Sequence, residues 1–375
     1  MEKSKKNKNR KAVDFTLLLG VLLLVFIGII MVFSSSWPEA LTKHNDGYLF
    51  LRKQIYAAIA GLIAMVFCMN FNYNYYKKLA IPIYIMSIIS GLLIFTPLGI
   101  EIKGARRWID LGFTTIMPSD IIKLGSIIFF AWFLTNKKDK IGTFFQGTIP
   151  SLMYIGISCG LIFAQNDLGT TVTLAATMMG MFFIAGMRWV DLVAMGAGAY
   201  GLVRLAIYAP GKGHRLERIT AYKDPFADKM DTGWQAVNSL YALGSGGIFG
   251  LGLGKSRQKF TYIPEAYNDF IFAIIGEELG LFGTILVLLL FMLVIWRGIV
   301  IALKIDDLFG SLLATGIVAL ITVQSLMNIG VVTSSLPTTG ITLPFISYGG
   351  TSLVMFMAAI GILLNISRFA KLDRS

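Results

Sequence analysis

Charge is scarce in this chain of 375 residues: only 14% are Asp, Glu, Lys or Arg, against about 25% in soluble domains. Cysteine and histidine are scarcer still, with Cys68, Cys159, His44 and His214 making up the whole supply. Two cysteines inside apolar runs give no disulfide framework, and two histidines beside them give no metal cluster. No internal repeat is visible, so the inverted-repeat signature of many transporters is missing. A phosphate-binding loop is missing too, by one residue. "GGIFGLGLGKS" ends in Gly254-Lys255-Ser256, but the first glycine of such a loop belongs at position 249, where Phe249 stands.

Apolar residues are what the chain has, at 55%. Residues 15–33 form an apolar stretch long enough to cross about 30 Å of hydrocarbon. Six basic residues precede it (Lys3, Lys5, Lys6, Lys8, Arg10 and Lys11). The run exceeds a signal-peptide core and more spans follow, so it reads as a retained first helix. Further spans are expected at 53–70, 79–95, 119–135, 148–165, 169–186, 190–209, 269–296, 310–332 and 351–367. The fold class is therefore an all-α polytopic membrane protein of about ten transmembrane helices.

Short loops set the orientation. With the basic tail 1–14 inside, alternation places Lys77-Lys78, Lys137–Lys140, Arg188, Arg297 and the tail 368–375 on the cytoplasmic side, as the positive-inside rule requires. Both termini are then cytoplasmic, 15–367 is one membrane domain, and 210–268 is one large extracytoplasmic loop. The net charge of +12 reads as topology signal and attraction to anionic headgroups, with no nucleic-acid partner. The near-miss phosphate loop falls outside, where ATP is of no use. Six glycines at 244, 246, 247, 250, 252 and 254 instead permit tight turns and close packing, either on a ligand or on the membrane domain.

A charge at mid-bilayer costs about 2.5–3.5 kcal/mol, so each one marks a candidate site. Asp120 and Lys123 in "PSDIIKLG" share a helix face and form either a structural ion pair or a working one. Arg106 and Arg107 flank Trp108 in "KGARRWIDLG", which suits an anionic amphipathic ligand or a headgroup anchor. Asp167 in "QNDLGTT" is placed to cap the next helix or to meet substrate. Arg204 is expected to face the protein interior. In "YIPEAYNDFIFAIIGEELG", Asp269 and Glu277 are eight apart, about 80° and 12 Å on one helix, and could line one cavity; Glu278 points away.

"GARRWIDLG", "PSDIIKLG", "QNDLGTT", "SLYALGSGGIFGLGLG", "YIPEAYNDFIFAIIGEELG" and "TTGITLPFISYGGTSL", in this order, resemble the SEDS family of bacterial membrane proteins (RodA, FtsW and SpoVE). The C-terminal stretch is more similar to the FtsW/SpoVE branch. The resemblance implies a peptidoglycan glycosyltransferase of the cytoplasmic membrane, acting in cell division or sporulation. Its members polymerise lipid II, an undecaprenyl-diphosphate disaccharide-pentapeptide, outside the membrane. They work with a class B penicillin-binding protein that cross-links the product, and with other division or sporulation proteins. It implies Asp269 as the essential carboxylate, and Arg106, Arg107, Asp120, Lys123, Asp167, Asn238, Glu277 and Ser347 as residues around substrate. Two departures are Asn238, where the family usually has Gln, and "YND" in place of "HTD".

The chemistry is consistent with that kit. Joining two sugars needs a base for a hydroxyl and cations for a departing diphosphate. An α-linked donor giving a β-linked product implies a single displacement, hence a single base. A divalent cation such as Mg or Mn would serve on the diphosphate, and the sequence leaves that open. A lipid II flippase and a non-catalytic division scaffold are the alternatives.

Overall fold

The computed structural model describes residues 12–102, 105–110, 112, 115–208, 222, 224–226, 233–260 and 262–372. The basic lead Lys3–Lys11, His214, Arg374 and much of the expected loop 210–268 lie outside the described residues. Eleven α-helices organise the rest: α1 (Phe15–His44), α2 (Leu49–Asn70), α3 (Tyr73–Leu92), α4 (Pro118–Asn136), α5 (Ile149–Ala164), α6 (Leu168–Ile184), α7 (Trp189–Tyr208), α8 (Trp234–Gly246), α9 (Ile271–Lys304), α10 (Leu308–Val332) and α11 (Gly350–Ser367). Eight of them are long and apolar enough to cross a membrane. Together with the shorter apolar α6 and with α7, they lie where the ten spans are expected, consistent with about ten.

Burial ranks these helices. In α4, 83% of the apolar window is buried, against 28% in α2 and in α3, so α4 runs through the middle while α2 and α3 form the wall. Ile63, Phe67 and Met86 on that wall are exposed. Such a surface is untenable in water and expected in lipid. Close helix contacts use small residues, as lipid-embedded bundles require. Gly61 of α2 leaves room for Met357 of α11, and Gly361 of α11 sits against the Met65 backbone of α2.

The two ends of the bundle differ. At one end, Asp14 caps α1 through Leu17 N (2.9 Å) and forms an ion pair with Arg297 of α9. Ser367 of α11 accepts from Asp14 N (3.1 Å), and Asn365 accepts from Tyr73 N (2.9 Å). Lys77, Lys78, Lys137, Lys138, Lys140, Arg188, Lys304 and Lys371 lie in the loops and adjoining helix turns of this end, which the positive-inside rule assigns to the cytoplasm.

The opposite end carries a feature that the sequence reading did not anticipate. Between α3 and α4, β1 (Gly99–Ile102), β2 (Ala105–Asp110) and β3 (Thr115–Ile116) form a three-stranded antiparallel sheet in the order β1-β2-β3. β1 and β2 pair Gly99 with Ile109 and Glu101 with Arg106. The arginine pair thus stands on a paired strand.

α9 is not one straight helix. Gly280 adopts φ 67° and ψ −162° inside it, so residues 271–279 and 281–304 are two segments. A break in lipid frees backbone groups that must find partners. The glycine-rich stretch after α8 supplies them. Leu251 N and Gly252 N donate to Glu277 O and Glu278 O (2.9 and 3.0 Å), while Leu281 N and Phe282 N donate to Gly247 O and Ile248 O (2.9 and 3.1 Å). Of the six glycines, Gly246 and Gly250 pack directly on the α9 backbone, against Gly276 O and Glu278 O.

Arg204 does not face the interior. It is exposed on α7, and its guanidinium meets Tyr200 one turn back, donating to the phenol at 3.3 Å with its carbon 5.9 Å from the ring centroid. The long arginine stem lets the head reach a neighbour on its own helix.

Candidate active site

Pro264 to Phe270 form a succession of turns ahead of α9. Glu265 takes a left-handed φ of 51°, and Asn268 folds back on it through N to Glu265 O (2.9 Å) and Nδ2 to Oε2 (3.2 Å). Tyr267 is buried between Phe50 (centroids 4.6 Å apart) and Tyr348 (5.6 Å). Burial, reinforced by Glu39 and Glu265, pushes its phenol pKa up, so Tyr267 stays neutral and acts as an anchor. Asp269 follows it, half-buried, two residues before α9 begins. The N-cap position of α9 is Phe270, whose side chain makes no capping bond.

The segment joining α10 to α11 closes over this turn. Tyr348 N donates to Tyr267 O (2.9 Å). Asn328 of α10 donates Nδ2 to Asp269 O (2.8 Å) and to Ile341 O (2.7 Å). Gly340, exposed and at φ 70°, lies over the carboxylate: a Cβ there would stand 3.6 Å from Asp269 Oδ2. Gly169, in the first turn of α6, abuts Ile341 and Thr339 O from the other side.

Arg107 reaches the same region from the sheet, its guanidinium donating to Asn166 O. Asp167, the next residue, caps α6: Thr170 N donates to Oδ1 (3.1 Å) and Thr170 Oγ1 to Oδ2 (2.8 Å). Arg106 is exposed and donates to Gly99 O (3.3 Å) within its own ribbon. The sheet, the α6 cap, residues 339–341 and Asp269 are thus consecutive neighbours around one end of the bundle.

Asp120 and Lys123 pair at 2.8 Å, both almost fully buried. Lys123 Nζ also donates to Gln324 Oε1 (3.0 Å), and Gln324 Nε2 donates to Thr342 O (3.0 Å). The cavity beside them measures about 10 Å³, room for at most one water. Ser347 is buried and closes a turn by accepting from Leu343 N (2.8 Å). Asn238, also buried, donates to Trp234 O (2.8 Å) in α8, beside Ser239, which ties α8 to Val332 O (2.7 Å).

Glu277 and Asp269 do not share one helix face, because Asp269 precedes the helix. Glu277 instead accepts from Ser256 Oγ, from Arg257 N (2.8 Å) and from Gln258 N (3.3 Å). Glu278 pairs with Lys259 at 2.8 Å, both buried, and accepts from Ser34 Oγ (2.6 Å to Oε2). The two glutamates therefore pin residues 256–259 onto the bundle.

The sequence reading missed Gln324 and Asn328. Their signal was two amides one turn apart in an apolar span, in "TVQSLMNIG", where each polar group needs a partner. Among the described residues no group of three or more His, Cys, Asp or Glu is placed to hold a metal. A magnesium-type ion commonly takes one or two carboxylates plus substrate phosphates, and Asp269 offers the one.

The chain has relatives among known proteins over nearly its whole length. The cell cycle protein family FtsW/RodA/SpoVE matches residues 15–372. Stage V sporulation protein E of Bacillus subtilis is 44% identical over 360 residues, 96% of this chain and 98% of that protein. A protein of Geobacter sp. (strain M18) named probable peptidoglycan glycosyltransferase FtsW is 38% identical, covering 94% of this chain and 96% of that one. A solved chain from a peptidoglycan synthase complex, described as coordinating polymerization and crosslinking, superposes with a TM-score of 0.79 at 25% identity, over 96% of this chain and 99% of its own. This multi-pass protein of the cytoplasmic membrane belongs to the FtsW/RodA/SpoVE family.

Proposed function

We propose that this chain is a peptidoglycan glycosyltransferase that polymerises lipid II at the outer face of the membrane, with Asp269 as general base. The observation that carries the reading is Asp269 itself. It is a half-exposed carboxylate outside any helix, beneath an exposed glycine, at the end of the bundle opposite the basic loops. Relatives named as peptidoglycan glycosyltransferases cover nearly the whole chain, which supports a cell-wall glycosyltransferase.

In this reading Asp269 takes the proton of the acceptor sugar's 4-hydroxyl as its oxygen attacks C1 of the donor. The new C1–O bond forms as the bond from C1 to the diphosphate oxygen breaks. The diphosphate leaves with the electron pair and needs cations rather than an acid. Arg106, exposed on its ribbon, and Arg107 are candidates for that role, since guanidinium groups bind phosphate bidentately. A divalent cation, when bound, would add charge neutralisation at the same diphosphate. Asp120, Lys123, Asp167, Asn238, Glu277 and Ser347 support this site by holding its segments in place. In this reading the cross-linking partner is a class B penicillin-binding protein, and the solved relative's complex, described as coordinating polymerization and crosslinking, supports a partner of that kind.

The test is purified chain incubated with lipid II, with and without a candidate transpeptidase, read as glycan strands on a gel and as lipid II transfer between vesicle leaflets. Strands are expected. Transfer without strands in either condition would favour the flippase alternative, and neither product would favour the scaffold.

A further inference from the structure

We infer that Asn328 is the positioning residue for Asp269, acting through the backbone rather than through the carboxylate. The inference rests on the reading of Asp269 as the base. Asp269 sits in a run of turns with no helix of its own to orient it. Two clamps hold that run from the α10–α11 connection. One is Tyr348 N on Tyr267 O. The other is the Asn328 amide, whose two hydrogens go to two different carbonyls, Asp269 O at 2.8 Å and Ile341 O at 2.7 Å.

A carboxamide nitrogen has just those two donors, so the group is saturated and its orientation is fixed. Flipping the amide would place an oxygen against two carbonyl oxygens. Asn328 is 1% exposed, where a lost donor leaves both carbonyls without a partner in a water-poor site. Its Oδ1 has no hydrogen-bond partner among the described residues, so the amide is retained for its donors.

The second carbonyl gives the clamp its purpose. Ile341 follows Gly340, the residue over the Asp269 carboxylate. One side chain therefore sets both the base and the segment that lies over its carboxylate. Gln324, one turn earlier on α10, grips the next carbonyl, Thr342 O, at 3.0 Å. It is itself held by Lys123. The 340–342 segment is thus fixed at successive residues by two amides on one helix face. A misplacement of about 1 Å in a catalytic group costs about 10²-fold in rate, and Asn328 prevents that displacement.

The experiment compares wild type, Asn328→Ala, Asn328→Ser and Asp269→Asn as full chains with the same transpeptidase partner, using lipid II as probe. Polymerisation is followed across substrate concentration, and thermal unfolding across temperature. Asn328→Ala is expected to lose about 10²-fold in kcat with KM within about 2-fold, and Asn328→Ser, which retains one donor, to fall between it and wild type. A merely structural role would lower the melting temperature of both variants while the folded fraction kept wild-type kcat, and that result overturns the inference. A loss confined to KM overturns it as well. If Asn328→Ala does not fold, Asn328→Ser decides alone, and wild-type kcat there is the contrary result. Should Asp269→Asn be inactive while both Asn328 variants are fully active, positioning fails and the base assignment stands. Should Asp269→Asn polymerise normally, the base assignment itself fails, and the inference falls with it.

Discussion

Gly250 and Gly280 meet backbone to backbone: a Cβ on Gly250 would fall 2.7 Å from Gly280 N, and closer still to Glu278 O. Both glycines have left-handed φ, 77° and 67°. Alanine at either position combines a conformation costing about 1–2 kcal/mol with a clash against main chain that cannot move aside. Gly250→Ala and Gly280→Ala should therefore each lower the melting temperature in detergent by several degrees. Gly244, helical in α8 with open space at its Cβ, is the control, and alanine there should be neutral or stabilising by about 0.5–1 kcal/mol. Equal melting temperatures for all three variants would show that the break in α9 does not depend on this contact.

The pair of Lys259 and Glu278 has side-chain exposures of 3% and 0%. Removing one partner of such a pair leaves a buried charge, at about 3–5 kcal/mol. Lys259→Met and Glu278→Gln should each destabilise the fold, Lys259→Met more, because Glu278→Gln keeps an acceptor for Ser34. The double variant Lys259→Met/Glu278→Leu should recover part of the loss, since a matched apolar pair is often neutral. Thermal unfolding of the three variants measures this. With Glu278→Leu also measured singly, a double variant as unstable as the sum of Lys259→Met and Glu278→Leu would mean that the two charges are not coupled.

The orientation makes a prediction at two exposed lysines, Lys255 beside the glycine stretch and Lys138 between α4 and α5. In a background without Cys68 and Cys159, Lys255→Cys should react with an impermeant thiol reagent in intact cells. Lys138→Cys should react only after permeabilisation. The opposite pattern would invert the topology.

The helices were legible because membrane spans announce themselves as long apolar runs. The expected 119–135 and 351–367 became 118–136 and 350–367. What was not legible lay in the irregular backbone that a span contains or adjoins. Gly280 sits inside an apolar run that looks continuous, and its break exists only because the distant stretch 247–252 satisfies it. Asp269 was read as opening a helix that in fact begins at Ile271. The arginine ribbon depends on strand pairing, whose partners cannot be chosen from six residues alone. Gln324 and Asn328 escaped notice because charges in lipid draw attention before amides do, although their spacing of four residues put both on one face.

Asp269→Asn is the most direct measurement of the central claim. Asparagine keeps the size of the side chain, and the clamp from Asn328 is on the Asp269 backbone, so folding and partner binding should survive. The variant, shown to be folded and bound to its transpeptidase, is incubated with lipid II and the glycan strands are read on a gel. The account predicts a fall of about 10²–10⁴-fold in polymerisation, the usual contribution of a general base. Polymer at near wild-type rate would contradict it.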